Sequence, residues 1–246
     1  MSTVVSELEP VQARGATASS VQFFFAAHLA LLLAVLVGFS RSLYLRPLFG
    51  TRNLPPVLYL HGAVLTGWFL LMVLQGWLAY TRRVRLHRRT GYVIAAYAAL
   101  VVAMGLVADL RLGAELTSAT DSDGIVFWGN LFSLVLFTIF IALALVFRRT
   151  PEAHKRLTLL ASIFIVGPAL ARFSNWPIFP GGMAARPLYG IGGLLVLFIG
   201  LIVHDVIVRR RPHRVTVIGT VTFFAILGLA GYLAFSGAGY AILHGQ

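Results

Sequence analysis

The chain contains no cysteine, which excludes disulfides, thiolate metal ligands and iron–sulfur clusters. It has a single lysine, Lys155, among 20 Lys and Arg residues. A retinal Schiff base needs a lysine inside a helical bundle, and Lys155 is expected at a membrane edge, so a rhodopsin is excluded. Charge of either sign is scarce: 11% of the 246 residues, against about 25% in soluble domains. No tight catalytic motif such as HExxH occurs. There is no alternation of the kind that builds barrel strands, no long linker and no repeat.

Apolar side chains are abundant instead, at 59%. They fall into runs of about 20 residues, the length that crosses a bilayer as a helix. Seven such runs are expected, roughly at 21–44, 57–80, 91–111, 124–147, 156–174, 188–208 and 215–236. The fold class is therefore all-α, a polytopic transmembrane helix bundle of one domain over 21–236. Residues 1–20 read as a flexible cytoplasmic tail, without the basic start and short apolar core of a cleaved leader. Residues 237–246 read as a short external tail.

The net charge of +12 gathers in short loops, which fits topology and argues against a nucleic-acid partner. Loop 2–3 holds Arg82, Arg83, Arg85, Arg88 and Arg89. Loop 4–5 holds Arg148, Arg149, Lys155 and Arg156, and loop 6–7 holds Arg209, Arg210, Arg211 and Arg214. With Arg14, 14 of the 20 cations lie on one side. The other side has Arg41, Arg46, Arg52, Arg111, Arg172 and Arg186, with Asp109, Glu115, Asp121 and Asp123. The positive-inside rule then makes the N-terminus cytoplasmic and the C-terminus external. The expected partners are the bilayer itself and anionic lipid head groups at the cytoplasmic arginine clusters.

Helical spacing groups the polar residues. His61, Leu65, Trp68, Met72 and Gln75 share one face of the second helix, with Gln75 about 21 Å further in than His61. His154, Thr158, Ala161, Ile165, Pro168 and Arg172 share a face of the fifth, which Pro168 is expected to kink. Facing each other, these would give an outer cluster of His61 and Arg172, joined by Arg41 and Asn175. An inner cluster would hold Gln75 and His154, joined by His87. In the sixth helix Gly193, Leu197, Gly200 and His204 line up, so a close helix contact is expected there and His204 should face protein. Asp205 is the carboxylate of the inner half, and ionisable groups at such depth mark function.

Three chemistries fit these placements. His28 and His204 lie at a similar inner depth and could ligate haem b, while Arg41, Arg172, His61 and Gln75 could hold propionates or a quinone; either cofactor implies a membrane redox partner. His87, His154, His204 and Asp205 could instead coordinate zinc or iron in a metal-dependent membrane enzyme. A non-catalytic assembly protein or small transporter would use the same polar groups only to hold the bundle together.

GFSRSLYLRP at 38–47, HGAVLTGWFLLMVLQGWLAY at 61–80, LHRRTGY at 86–92, HKRLTLLA at 154–161 and GPALARF at 167–173 together resemble a widespread family of uncharacterised bacterial multi-pass inner-membrane proteins. The likeness covers most of residues 25–210. It implies a location and an architecture, and it carries no activity. By motif it singles out Arg41, His61, Gln75, His87, Arg88, His154, Arg156 and Arg172. Thr158 stands where members often have methionine.

Overall fold

The computed structural model describes residues 2–50, 53–118, 121 and 123–245, with side chains described from Ser20 onward except at 183. Arg52, and the side chain of Arg14, lie outside the described residues, as do the side chains of the expected tail before Ser20. Among the described residues every regular element is helical. In chain order these are α1 (Ser2–Phe39), α2 (Pro56–Tyr80), α3 (Val84–Glu115), α4 (Asp123–Val146), α5 (Pro151–Phe164), α6 (Gly167–Ala171), α7 (Arg186–Arg209), α8 (Arg214–Phe235) and α9 (Ala238–His244). Short 3-10 turns and one π-helical turn, Ser40–Tyr44, lie in the connections after α1 and between α6 and α7.

Six helices are long and apolar enough to cross a bilayer, and the bent pair α5–α6 makes a seventh if it counts as one span. The large apolar side chains on their outer faces are exposed, among them Leu60, Leu70, Val93, Leu110, Val196 and Val221. A protein in water hides such a belt; in lipid it is the solvent-facing surface. The protein is an integral membrane protein.

The helix starts follow local chemistry. Pro56 and Pro151 open α2 and α5, where a missing N–H costs nothing. The α2–α3 and α7–α8 turns pass through Arg82 and Arg210 in the left-handed region (φ 58° and 61°). Because the first turn is so tight, α3 begins at Val84, seven residues ahead of the expected 91. The basic stretch at 85–92 is thus helical, and so is its counterpart at 151–157.

Helix α5 is the central post. Leu159, Leu160, Ala161, Ser162, Ile163 and Phe164 are consecutive and all buried, so no face of it meets lipid. Trp68 donates from Nε1 to Ser162 Oγ at 3.2 Å and lies edge-on to Phe137. Phe164 stacks on Phe223 at 5.3 Å between α5 and α8. The post ends where Pro168 removes a backbone donor and crowds the carbonyl four residues back. The expected kink is there: α5 and the segment Gly167–Asn175 meet at 45°. Lys155 bonds Ser20 at one end of α1's apolar span, and Ala169 packs on Gly38 at the other.

Candidate functional site

Asp205 and Arg156 meet in a buried ion pair at the end of the bundle where α5 starts and α7 ends, both side chains fully buried. Arg156 Nε donates to Asp205 Oδ1 at 2.9 Å and Nη2 donates to the same oxygen. Asp205 Oδ2 accepts from the His213 amide at 3.0 Å and from Thr216 Oγ1 at 2.6 Å. Arg156 Nη1 bonds both the backbone and the carboxylate of Glu152, which also takes Lys155 Nζ at 2.5 Å. The group ties α5, α7 and α8 to the first apolar turn of α1. The sequence places Arg156 in a solvated basic loop; here it is the fully buried partner of Asp205.

His204 is the adjacent residue and makes no such bonds. It is buried as expected, its ring stacked on Phe23 at 3.9 Å and edge-on to Phe24 at 5.5 Å. Neither ring nitrogen makes a hydrogen bond; Asp205 Oδ1 stands 3.7 Å from Nδ1, beyond hydrogen-bond reach. Phe23 also lines an apolar cleft of about 170 Å³ between α1, α5 and α7, with Leu31, Ile163, Leu197 and Gly200. Val196 on its rim is 69% exposed, so the cleft faces the bilayer. Gly193 packs closely, its missing Cβ 3.1 Å from Leu170, as the line of small residues predicts. Gly200 does not: nothing lies within 4 Å of its Cβ position, because there it borders the cleft.

His28 is buried on α1, with Nδ1 bonded to Phe24 O at 2.7 Å and Nε2 without a partner. His28 and His204, the pair expected to ligate haem, are both buried, and the cleft is not a common cavity joining them, since neither lines it. Phe23 and Phe24 already cover the His204 ring, and the cleft is well below the roughly 300–1,000 Å³ of whole-ligand pockets.

The expected metal set is not assembled. Among the described residues no three His, Asp or Glu side chains form a group able to hold a metal. His87 and His154 do meet, ring centroids 6.3 Å apart, with Nδ1 atoms on Gln75 O (3.4 Å) and Ala144 O (2.8 Å). Asp205 is elsewhere because it pairs with Arg156, which is turned roughly 200° around α5 from His154. The Gln75 amide is also spent locally, donating to Thr90 Oγ1 at 2.7 Å.

Of the cluster expected around His61 and Arg172, Arg41 and Asn175 are bonded to each other, and His61 and Arg172 each bond a backbone carbonyl. His61 bonds Met104 O at 3.0 Å through Nδ1, with Arg172 in electrostatic reach. Arg172 donates to Pro168 O at 2.8 Å and lies over Phe39. Arg41 donates to Asn175 O at 2.6 Å. The sequence reading counts Asp109 only among the charges of its side; it is buried at 6% exposure, with Asn130 beside it. Its signal was the buried face Ile94, Ala98, Val101, Gly105, Asp109 and Gly113, spaced by threes and fours.

His213 caps α8, its Nδ1 accepting from Val215 N at 3.1 Å. Burial lowers its pKa from 6.5, and Arg156 and Arg209 push the same way against Asp205 and Glu152. The unfolded chain therefore takes up this proton first, so the contribution is full above about pH 6.5 and is lost as pH falls through the folded value. Thermal unfolding temperature should drop between about pH 7.5 and pH 5.5. His213→Asn, which keeps a capping oxygen, should lessen that drop, and an unchanged slope would count against the assignment.

Comparison of the chain with protein-family models, with curated proteins and with solved structures finds no match.

Proposed function

We propose that this integral membrane protein binds a quinone-type lipophilic carbonyl compound in the cleft between α1, α5 and α7, in a membrane redox role. One observation carries the reading: Phe23, which lines an apolar cleft open at its rim, stacks on His204, a buried imidazole whose Nε2 has no hydrogen-bond partner and whose Nδ1 stands 3.7 Å from Asp205. A buried imidazole without hydrogen bonds is costly, and a carbonyl oxygen would accept its N–H. A head group enters such a space while an apolar tail stays among the lipids.

The topology that goes with it is seven crossings, cytoplasmic N-terminus, in a bacterial inner membrane. The contacts at both ends of the bent pair support seven. Lys155 lies at the Ser20 end of α1 and Ala169 at the Gly38 end, so α5–α6 covers the same depth as α1's apolar span. The cleft then lies toward the cytoplasmic side.

Calorimetric titration of the full chain in mild detergent with a short-tailed ubiquinone tests the proposal. A hydrocarbon of matched tail is the control. The quinone should bind and the hydrocarbon should bind about tenfold more weakly. Gly200→Leu, which has open space to fill, should weaken quinone binding about tenfold without lowering stability. His204→Ala should erase the preference for the carbonyl compound. Equal binding of quinone and hydrocarbon would end the reading, and a Soret band that shifts on reduction would put haem in its place.

A further inference from the structure

Arg41 and Arg186 converge on Asn175, and Arg172 lies in the same 3-10 turn, with no carboxylate among them. Arg41 Nη1 donates to Asn175 O at 2.6 Å, and Arg186 Nη2 reaches Asn175 Oδ1 at 3.4 Å. Arg172, in the same turn as Asn175, lies within electrostatic reach of Arg186. Among the described residues none of the three forms an ion pair. Their acceptors are neutral carbonyl oxygens, so the like charges are not cancelled where they sit.

The three guanidinium groups are held in place. Arg41 lies over Phe49 at 4.4 Å and Trp176 at 5.5 Å, and Arg172 over Phe39 at 4.5 Å. Arg41 rides on the π-helical turn Ser40–Tyr44, an irregularity common at functional sites. Each guanidinium has five N–H donors, and the bonds above use one on each. The remaining forks match the geometry of a phosphate. Nearby, Leu48, Ile178 and Leu188 are 77%, 78% and 70% exposed. A ligand that suits both features has an anionic head and an apolar body. Aromatic side chains beside the arginines mark head-group depth.

We propose that Arg41, Arg172 and Arg186 bind the phosphodiester of an anionic phospholipid in the outer leaflet. The site is separate from the inner cleft and stands whether or not that cleft takes a quinone.

Native mass spectrometry of the full chain, released from micelles with equal phosphatidylglycerol and phosphatidylcholine, tests it. Wild type should retain phosphatidylglycerol about tenfold over phosphatidylcholine. Arg41→Gln and Arg186→Gln should each cut that preference by roughly threefold to tenfold. Arg186→Gln is the decisive variant, because its side-chain bond is exposed and the fold does not hang on it. Arg148→Gln and Arg149→Gln, in the opposite loop, should leave the part of the preference that Arg186→Gln removes unchanged. Millimolar inorganic phosphate should leave the lipid in place; displacement of the lipid by phosphate would overturn the lipid assignment in favour of a free oxyanion. Equal retention of the two lipids, or no effect of Arg186→Gln, would overturn the site altogether.

Discussion

Asp205→Leu is expected to destabilise the bundle by about 3–5 kcal/mol, the cost of stranding a buried charge. The deletion leaves fully buried Arg156 with its Nε and Nη2 donors unpaired, and it removes the acceptor of the His213 amide and the Thr216 hydroxyl. Both side chains of the pair are fully buried, so solvent does not reach the stranded groups directly. Arg156→Met should cost a similar amount for the converse reason. The double variant Arg156→Met with Asp205→Leu should regain most of the loss, because two matched apolar groups leave no orphan charge. By contrast, Glu152→Gln should cost at most about 1 kcal/mol: Glu152 is 42% exposed, its pair with Lys155 is a surface pair, and the amide oxygen of glutamine can still accept from Arg156 Nη1. Titration of the purified protein with sodium dodecyl sulfate against a mild detergent reads all four. If Asp205→Leu shifts unfolding by less than about 1 kcal/mol, or the double variant is simply the sum of the singles, the clamp is not a coupled unit.

The same pair shows where the sequence stops being informative. The apolar runs, the bend at Pro168 and the inward face of His204 follow from length, backbone chemistry and helical period, and all three are present. The shared face expected for His154 to Arg172 is broken by the bend, since Arg172 lies in the 3-10 turn beyond it, within electrostatic reach of His61. Period, however, gives the direction of a side chain and leaves its partner open. Arg156 sits in a run of cations, and a rule that counts loop charges treats it like Arg148 or Arg149; only the packing of α5 against α7 sets it apart. The metal set failed for the same reason, since His154 and Arg156 point to different sides of one helix. Gly193 and Gly200 are equivalent on a helical projection, yet one touches Leu170 and the other borders a cleft. Of the candidate site, the residue types were legible and the neighbours were not.

Gly38→Leu is the second large effect expected. A Cβ at Gly38 would stand 2.2 Å from the Ala169 carbonyl oxygen, 2.8 Å from its carbon and 3.0 Å from its Cα. All three atoms are backbone, so no rotamer relieves the clash, and α1 and α6 must part. Overpacking a fitted interior costs about 1–3 kcal/mol, and the remaining atoms of leucine add to what a single methyl would do. The consequences should be directional. Trp176 bonds Val37 O at 3.2 Å and Arg41 bonds Asn175 O, both across this same seam. Parting it pulls the turn that carries Arg172 and Asn175 away from Arg41, so Gly38→Leu should lose stability and phosphatidylglycerol preference together. Gly200→Leu, on a surface with no atom within 4 Å, should keep both and lose only quinone binding. Even Gly38→Ala should be measurably less stable than wild type, although alanine favours a helix by about 0.5–1 kcal/mol over glycine. A Gly38→Ala protein that gains stability would mean that α1 and α6 do not approach this closely. The outer arginine site would then lose the contact that holds its two halves in register.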